Sequence, residues 1–307
     1  MLHVRTPLLS SESMSRSAGV EVQLKLEAAQ PTGSFKIRGI GHLWQRASER
    51  GVRALVSSSG GNAGLAVAYA GARLGIPVTV VVPATTTARM RDLIADRGAE
   101  VIVHGEVWDE AHEHATSLVV DEKVLYVHPF DHPTLWDGHS TLVEELAAEI
   151  DEPSWIVVAV GGGGLLGGVL VGLDRVGWGE TKILAVETEG AASFARSVRA
   201  GEVVTIDRID SVAKSLGARR VSDGVLARAL ERGVTCELVS DALAVDGAVR
   251  FRDEHGHLVE PACGAALAAA YDWRYGAAAA PIVVVACGGV GITDSELERL
   301  RLQCSRP

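Results

Sequence analysis

The sequence has no run of basic residues longer than the pair Arg219-Arg220, although it is 307 residues long. Its 29 lysines and arginines are outnumbered by 39 aspartates and glutamates, for a formal charge of −10. A chain with that balance and no basic patch excludes nucleic acid and anionic membrane surfaces as partners. Cysteine is scarce too: Cys236, Cys263, Cys287 and Cys304 are scattered, with no C-x-x-C pair. That spacing excludes a zinc site and a disulfide scaffold, and it predicts a reducing, cytoplasmic compartment. The opening stretch MLHVRTPLLSSES lacks the continuous apolar core of a signal peptide. No low-complexity linker and no internal repeat breaks the chain.

Long apolar runs are rare as well. One, Trp155–Leu173 (WIVVAVGGGGLLGGVLVGL), has the length to cross a bilayer. Seven of its residues are glycine and no lysine or arginine flanks it as an anchor, so it predicts a buried strand, a loop and a buried helix.

What is present is an ordinary globular balance, 47% apolar and 22% charged residues, in a chain long enough for one large or two modest domains. Strand-like and helix-like segments alternate. VEVQLKLE (Val20–Glu27) has period two and predicts a half-exposed strand. ALVSSS, a helix over Ala63–Leu74, VTVVVP (Val78–Pro83), AEVIVH, a helical pattern near Val107–Val119 and VLYVHP follow. Later strands are SWIVVAV, KILAVE and PIVVVAC. Continuous Val/Ile runs mark parallel strands covered on both faces, so the class is α/β, open and doubly wound. The alternation within 28–133 predicts a smaller lobe; residues 1–27 and 134–307 form the larger one, with the active site in the cleft between them.

Four stretches carry chemistry. In GGGGLLGG, Gly162, Gly164 and Gly167 spell G-x-G-x-x-G, and KILAVE ends in Glu187 twenty positions on, where a dinucleotide fold keeps its ribose-binding acid. The same four glycines, Gly161 to Gly164, before a helix also suit a cup for a single phosphate dianion. On this stretch alone the two readings stand level. The second, QPTGSFKIRG, places Lys36 after a Pro-Thr-Gly turn and the N-cap type residue Ser34, in the first turn of a helix. Flanked by Phe35 and Ile37, a desolvated amine there is biased toward its neutral form, as a carbonyl cofactor requires. The third, SSSGGNAG (Ser57–Gly64), puts hydroxyls, glycines and an asparagine at a helix start, a receptor for a carboxylate. The fourth, VVVACGGVGIT, sets Cys287 between a buried strand and a glycine pair.

Taken in order, these stretches resemble the fold-type II pyridoxal-phosphate enzymes, of tryptophan synthase β-like architecture, and within them the serine/threonine dehydratases. The likeness covers nearly the whole chain, including AQPTGSFKIRG, SSGGNAG, FDHPTLWDGH, GGGGLLGG, VETEGAASF and EPACGAALAA. It implies pyridoxal 5′-phosphate as cofactor, a small amino acid as substrate and a homodimer. Lys36 would be the Schiff-base lysine, with Phe35 beside the pyridine ring. Gly161, Gly162, Gly163 and Gly164 would hold the cofactor phosphate, Asn62 the ring hydroxyl, and Cys287 would face the pyridine nitrogen. Ser59, Gly60, Asn62 and Ala63 would receive the substrate carboxylate, with Ser59 counted beside Lys36 among the catalytic residues. Glu187 then changes meaning, becoming a ligand of a monovalent cation, K+, whose oxygen shell Ala191, Ser193, Leu216 and Ala218 would complete.

The implied reaction is β-elimination from L-serine, giving pyruvate and ammonia, with L-threonine giving 2-oxobutanoate. Alternatives within the fold are a catabolic threonine dehydratase, a serine racemase and a non-catalytic amino-acid sensor that keeps the fold; outside it, an NAD-dependent oxidoreductase. Two departures bear on substrate preference and on hydrogen bonding near the ring. Gly60 stands where serine dehydratase proper carries alanine, and CGGVGIT replaces the commoner CGGSNI. Neither the pair His112/His114 nor His128/His132 has helical metal-ligand spacing, and His139 has no assignable chemistry.

Overall fold

A computed structural model describes residues 1–304. The chain opens with β1 (Leu8–Ser10), α1 (Glu12–Ala18) and β2 (Val22–Lys25), followed by α2 (Lys36–Ser48). An alternation comes next: β3 (Ala54–Ser57), α3 (Asn62–Leu74), β4 (Val78–Val82), α4 (Ala88–Ala95), β5 (Glu100–Val103), α5 (Trp108–Ser117) and β6 (Val124–Tyr126). Then come α6 (Pro133–Ala147), β7 (Trp155–Ala159), α7 (Gly164–Val176), β8 (Lys182–Thr188), α8 (Ser193–Ala200), α9 (Asp223–Arg232) and β9 (Thr235–Val239). Helices α10 (Asp241–His255) and α11 (Pro261–Tyr271), strand β10 (Ile282–Val285) and α12 (Asp294–Cys304) complete the described chain.

The strands form two sheets, ordered β1-β2-β10-β7-β8-β9 and β5-β4-β3-β6. Every pairing is parallel except that of β1 with β2. The Val/Ile runs explain this: all five residues of β7 and all four of β10 are buried, and α7 and α11 both pack against β7. The apolar run from Trp155 divides as expected into β7, a glycine loop and α7.

Strand β2 departs from its expected half-exposure. Lys25 is fully buried, because its ammonium pairs with Glu145 at 2.7 Å and donates to the Thr6 carbonyl at 2.8 Å. Satisfied in this way, a lysine can occupy a position that period-two reading gives to solvent. Helix α2 also starts differently from expectation. Its N-cap is Phe35, without a side-chain cap, and the Ser34 hydroxyl is buried without a partner among the described residues.

Three features fix α2. Its glycine at 39 meets Gly138 of α6 at close range: a Cβ on Gly138 would lie 2.6 Å from the Arg38 carbonyl oxygen and from Gly39 Cα. His139 accepts the Gly39 N–H on Nδ1 at 3.2 Å, in the first turn of the helix, where the Phe35 carbonyl is taken by Arg38 N–H. Burial pushes the imidazole of His139 well below its usual range, so it stays neutral and can accept. Finally, the buried Arg38 guanidinium grips Glu27 and Glu145, at 2.7 Å to each.

Candidate active site

Lys36, Ser59, the glycine loop and Cys287 come from four separate elements, and the fold gathers them at the carboxyl ends of parallel strands, where open α/β sheets place their ligands. The segment before α2 is stitched to the turn after β10. Phe35 N–H donates to the Cys287 carbonyl at 3.2 Å, Gly289 N–H to the Gly33 carbonyl at 2.8 Å, and Ser34 bridges Gly288. Lys36 and Cys287 therefore share one small region. The Lys36 ammonium donates to the Pro129 carbonyl at 2.6 Å and lies 5.0 Å from the centre of the Phe35 ring, which meets His139 edge-on. Burial brings the Lys36 amine down to about 8. The Cys287 thiol is held well above its usual range by its hydrogen bond with Cys263 and by burial, so it remains neutral.

The glycine loop fits a phosphate. Gly163 has φ +95°, and α7 begins at Gly164. A Cβ on Gly162 would run into the Phe130 ring, and one on Gly161 would lie 3.1 Å from Leu216 Cα. The N–H groups of Gly161 to Leu166 make no hydrogen bond among the described residues. Beside them, Ser222 N–H holds the Gly162 carbonyl at 3.1 Å while its own hydroxyl is buried and unpartnered among the described residues. Six unspent amides at a helix start form a cradle that an anion satisfies.

The loop between β3 and α3 shows the same design. The amides of Gly60, Asn62, Ala63 and Gly64 make no hydrogen bond among the described residues, and Gly61 N–H reaches Ser59 Oγ at 3.4 Å. Gly64 permits the tight turn, since a Cβ there would run into the Ser59 carbonyl oxygen. Gly60 is opposed by Thr86, whose hydroxyl and methyl occupy the space of a side chain at 60. Alanine there requires Thr86 to turn away. Asn62 is tied down more firmly than its assigned ring contact suggests. Its Nδ2 donates to Glu260 at 2.9 Å and reaches Ser215 Oγ at 3.5 Å, and its Oδ1 accepts the Val290 N–H at 3.1 Å.

Glu260 opens the motif EPACGAALAA. It is buried, accepting from Asn62, from Gly291 N–H at 2.7 Å and from the Ser215 hydroxyl. The departure at Val290 proves structural: its amide meets Asn62, its carbonyl meets Arg89, and its side chain fills the space above Gly33. The segment His128-Pro129-Phe130 also belongs to the site, since its carbonyl holds Lys36 and its phenyl ring shapes the cradle. In the sequence its residues are split between the strand run VLYVHP and the motif FDHPTLWDGH.

Glu187 lies near the end of β8, beside β7. It is buried, and its two oxygens accept the N–H groups of Phe194 and Ala195, at 2.9 and 2.7 Å, at the start of α8. Burial pushes the carboxyl up to about 8 against those two hydrogen bonds. Nearby, Ser193 Oγ donates to the Ala218 carbonyl at 2.8 Å, Ala218 N–H to the Leu216 carbonyl at 2.7 Å, and Ala191 is buried in the preceding turn. Gly167, third of the dinucleotide-like set, serves packing: a Cβ there would lie 2.9 Å from Val225 and 3.0 Å from Trp136. Among the described residues no cluster of three or more His, Cys, Asp or Glu side chains could hold a metal ion, and no helix is long and apolar enough to cross a membrane.

Comparison with known proteins shows the family and the fold. The family described as pyridoxal-phosphate dependent enzyme matches residues 1–288. The mouse serine dehydratase-like protein is 49% identical, over 98% of this chain and 94% of its own length. The mouse L-serine dehydratase/L-threonine deaminase is 46% identical, over 98% and 96%. The crystal structure of a fungal L-serine ammonia-lyase from Rhizomucor miehei superposes with a TM-score of 0.92 at 37% identity, covering 98% of this chain and 99% of that one. The chain belongs to the pyridoxal-phosphate dependent enzymes, among their serine/threonine dehydratases.

Proposed function

We propose that this enzyme is an L-serine ammonia-lyase, releasing pyruvate and ammonia from L-serine and 2-oxobutanoate and ammonia from L-threonine. The observation that carries the reading is the approach of Lys36 to both the Pro129-Phe130 segment and the Cys287 turn, beside two sets of unspent amides. Pyridoxal phosphate, when bound, supplies the electron sink for the bond broken at the substrate Cα. Lys36 is the residue that would tether it, and Gly161 to Gly164 with the start of α7 would hold its phosphate. Phe35 would flank the ring, Asn62 would face the ring hydroxyl and Cys287 the ring nitrogen.

Each side chain then has a task. Ser59, Gly60, Asn62 and Ala63 receive the substrate carboxylate on open amides and a hydroxyl, orienting the Cα–H bond. Lys36 Nζ takes the Cα proton; an amine near 8 is partly neutral at physiological pH, as a general base must be. The Cys287 thiol is neutral and carries no charge with which to hold a proton on the ring nitrogen. That favours prompt expulsion of the β-hydroxyl over chemistry that needs a long-lived carbanion, and it argues against racemisation as the main reaction.

The test is direct. The protein purified with pyridoxal phosphate should release pyruvate from L-serine and 2-oxobutanoate from L-threonine. Formation of D-serine without oxoacid would instead establish a racemase.

The same reading assigns a monovalent cation, K+, to Glu187 with oxygens of Ala191, Ser193, Leu216 and Ala218. Support comes from a buried carboxylate with hydrogen bonds but no ion-pair partner among the described residues. A folded-state carboxyl raised to about 8 contributes stability that is full below its unfolded value near 4.5 and is lost as pH rises through about 8. A cation replacing that proton offsets the loss. K+ at 100 times its dissociation constant is therefore expected to stabilise the fold by about 2.7 kcal/mol. The gain should grow from pH 7 to 9 and disappear in Glu187→Gln, as measured by thermal melting; equal melting in K+ and tetramethylammonium would refute the site.

The reading also includes a homodimer, a cytoplasmic location and two lobes, 28–133 against 1–27 with 134–307. Strands β3 to β6 fall within the first segment and all the others within the second, with α6 starting at Pro133.

A further inference from the structure

We propose that Tyr126 is a positioning residue for substrate: held by His112, its hydroxyl fixes Ser58 and thereby the loop Ser57–Asn62. The proposal rests on the reading above that this loop receives the substrate carboxylate. Ser58 is fully buried, and its hydroxyl lies 2.6 Å from Tyr126 Oη. The same phenol oxygen is 2.7 Å from His112 Nδ1. A phenol has one proton, so it donates to one neighbour and accepts from the other, and the chain Ser58–Tyr126–His112 acts as a unit.

The three residues come from three elements. Tyr126 ends β6, in register with Val56 of β3, and β3 runs straight into the loop. His112 lies on α5, which packs over β3 and β4. Its imidazole is clamped by the Trp108 indole one helical turn earlier, stacked at 4.8 Å and 8°. His128 stands edge-on to the imidazole at 6.1 Å. The imidazole is thereby held in place against the phenol.

The loop is held at both ends, in different ways. Asn62, at the far end, is anchored to Glu260, Ser215 and Val290, all outside the four-stranded sheet. At the near end, Val127 N–H donates to the Val56 carbonyl at 2.7 Å and Ser57 Oγ to the Val127 carbonyl at 3.3 Å. Both of these precede Ser58, so Tyr126 supplies the last tie before the open amides begin. Without its hydroxyl, Ser58 is a buried group with no partner, and the loop must shift to satisfy it. That shift moves Ser59 and the Gly60 amide and leaves the glycine cradle untouched.

The test compares Tyr126→Phe and Ser59→Ala with the holoenzyme. In Tyr126→Phe, KM for L-serine should rise roughly tenfold, as the loss of one buried hydrogen bond implies. The value of kcat should change by less than about threefold, and the visible absorption of the bound cofactor should stay unchanged. Inhibition by propionate, a carboxylate without an amine, should weaken by the same factor as KM, and inhibition by ethanolamine should not change. Combining Tyr126→Phe with Ser58→Ala should do no more than either alone, and His112→Gln, which keeps a hydrogen-bonding group, should fall between wild type and Tyr126→Phe. An unchanged KM in Tyr126→Phe, with a raised KM in Ser59→Ala, overturns the role of Tyr126 and leaves the loop's function standing. An unchanged KM in both variants overturns the carboxylate reading and this inference with it. Parallel loss of kcat, cofactor affinity and melting temperature in Tyr126→Phe would reduce the phenol to a structural part and overturn the proposal.

Discussion

Replacing Lys36 by alanine is expected to lower kcat for L-serine by about 10⁴-fold, the upper end of what a positioned general base contributes. The same change should abolish the visible absorption of the lysine-bound cofactor; Lys25, the other buried lysine, is committed to Glu145 and the Thr6 carbonyl. Lys36→Arg should be almost as poor, since a guanidinium stays protonated throughout the accessible range and cannot accept the Cα proton. In the wild type, the Lys36 amine freed when substrate is bound lies near 8 and is protonated below that value, so kcat should climb with pH and level off above about 8. Cys287 adds no inflection there, because its thiol is raised well beyond. Pyruvate release and the visible spectrum are the measurements. A Lys36→Ala protein keeping more than about a hundredth of the activity would contradict the assignment.

Arg38→Met is expected to destabilise the fold by about 3–5 kcal/mol, the usual cost of removing one partner from a buried ion pair. Arg38 and Glu27 are both wholly buried, and the guanidinium reaches both oxygens of Glu27 at 2.7 Å. It also holds Glu145 and Thr141, at 2.7 and 2.9 Å. Methionine is of similar volume and leaves Glu27 with only Thr6 and Gln30 as donors among the described residues, at 2.6 and 3.3 Å. Thermal melting should fall by roughly 5–8 °C. Adding Glu27→Gln to Arg38→Met should recover part of the loss, since the stranded charge is gone. The pH dependence has a definite sign. Burial works to raise the Glu145 carboxyl, but Arg38 and Lys25 together hold it below its usual range. Its contribution is present above the unfolded value near 4.5 and is lost as pH falls through the lower folded value. The acid limb of the stability curve should therefore be shallower in Arg38→Met. Melting equal to wild type at neutral pH would refute the account. The network sits two residues from Lys36, so a loosened α2 should also disturb the amine.

Much of the fold was legible in the sequence because parallel strands leave an unambiguous trace. The runs at Val78, Trp155, Lys182 and Pro281 became β4, β7, β8 and β10. The helices expected over Ala63–Leu74 and near Val107–Val119 became Asn62–Leu74 and Trp108–Ser117, within the normal drift of helix ends. Strand β9 went unread because TCELV carries charge, and three of its residues are half-buried at a sheet edge. Lys25 misled the reading of β2 because a burial pattern cannot see a partner 120 residues away. At the site, Lys36 and the glycine loop were recognisable as local chemistry. Glu260, Phe130 and Tyr126 were not, because each acts through a contact with a residue distant in sequence.

The sequence by itself determined the α/β class, the position of each turn rich in glycine, and the set of reactive groups, since these follow from periodicity and from what glycine, lysine and serine can do locally. It could not decide between a dinucleotide fingerprint and a phosphate cup on the glycine run alone, nor say what Glu187, His139 and Val290 were for. Those depend on neighbours. Only tertiary structure sets Phe130 against Gly162, buries Glu187 at the start of α8 and brings the Lys36 amine out of water. The physical reason is one of range. Backbone preference and hydrophobic period act over a few residues, whereas desolvation and hydrogen-bond partnership are fixed by whatever the fold packs alongside.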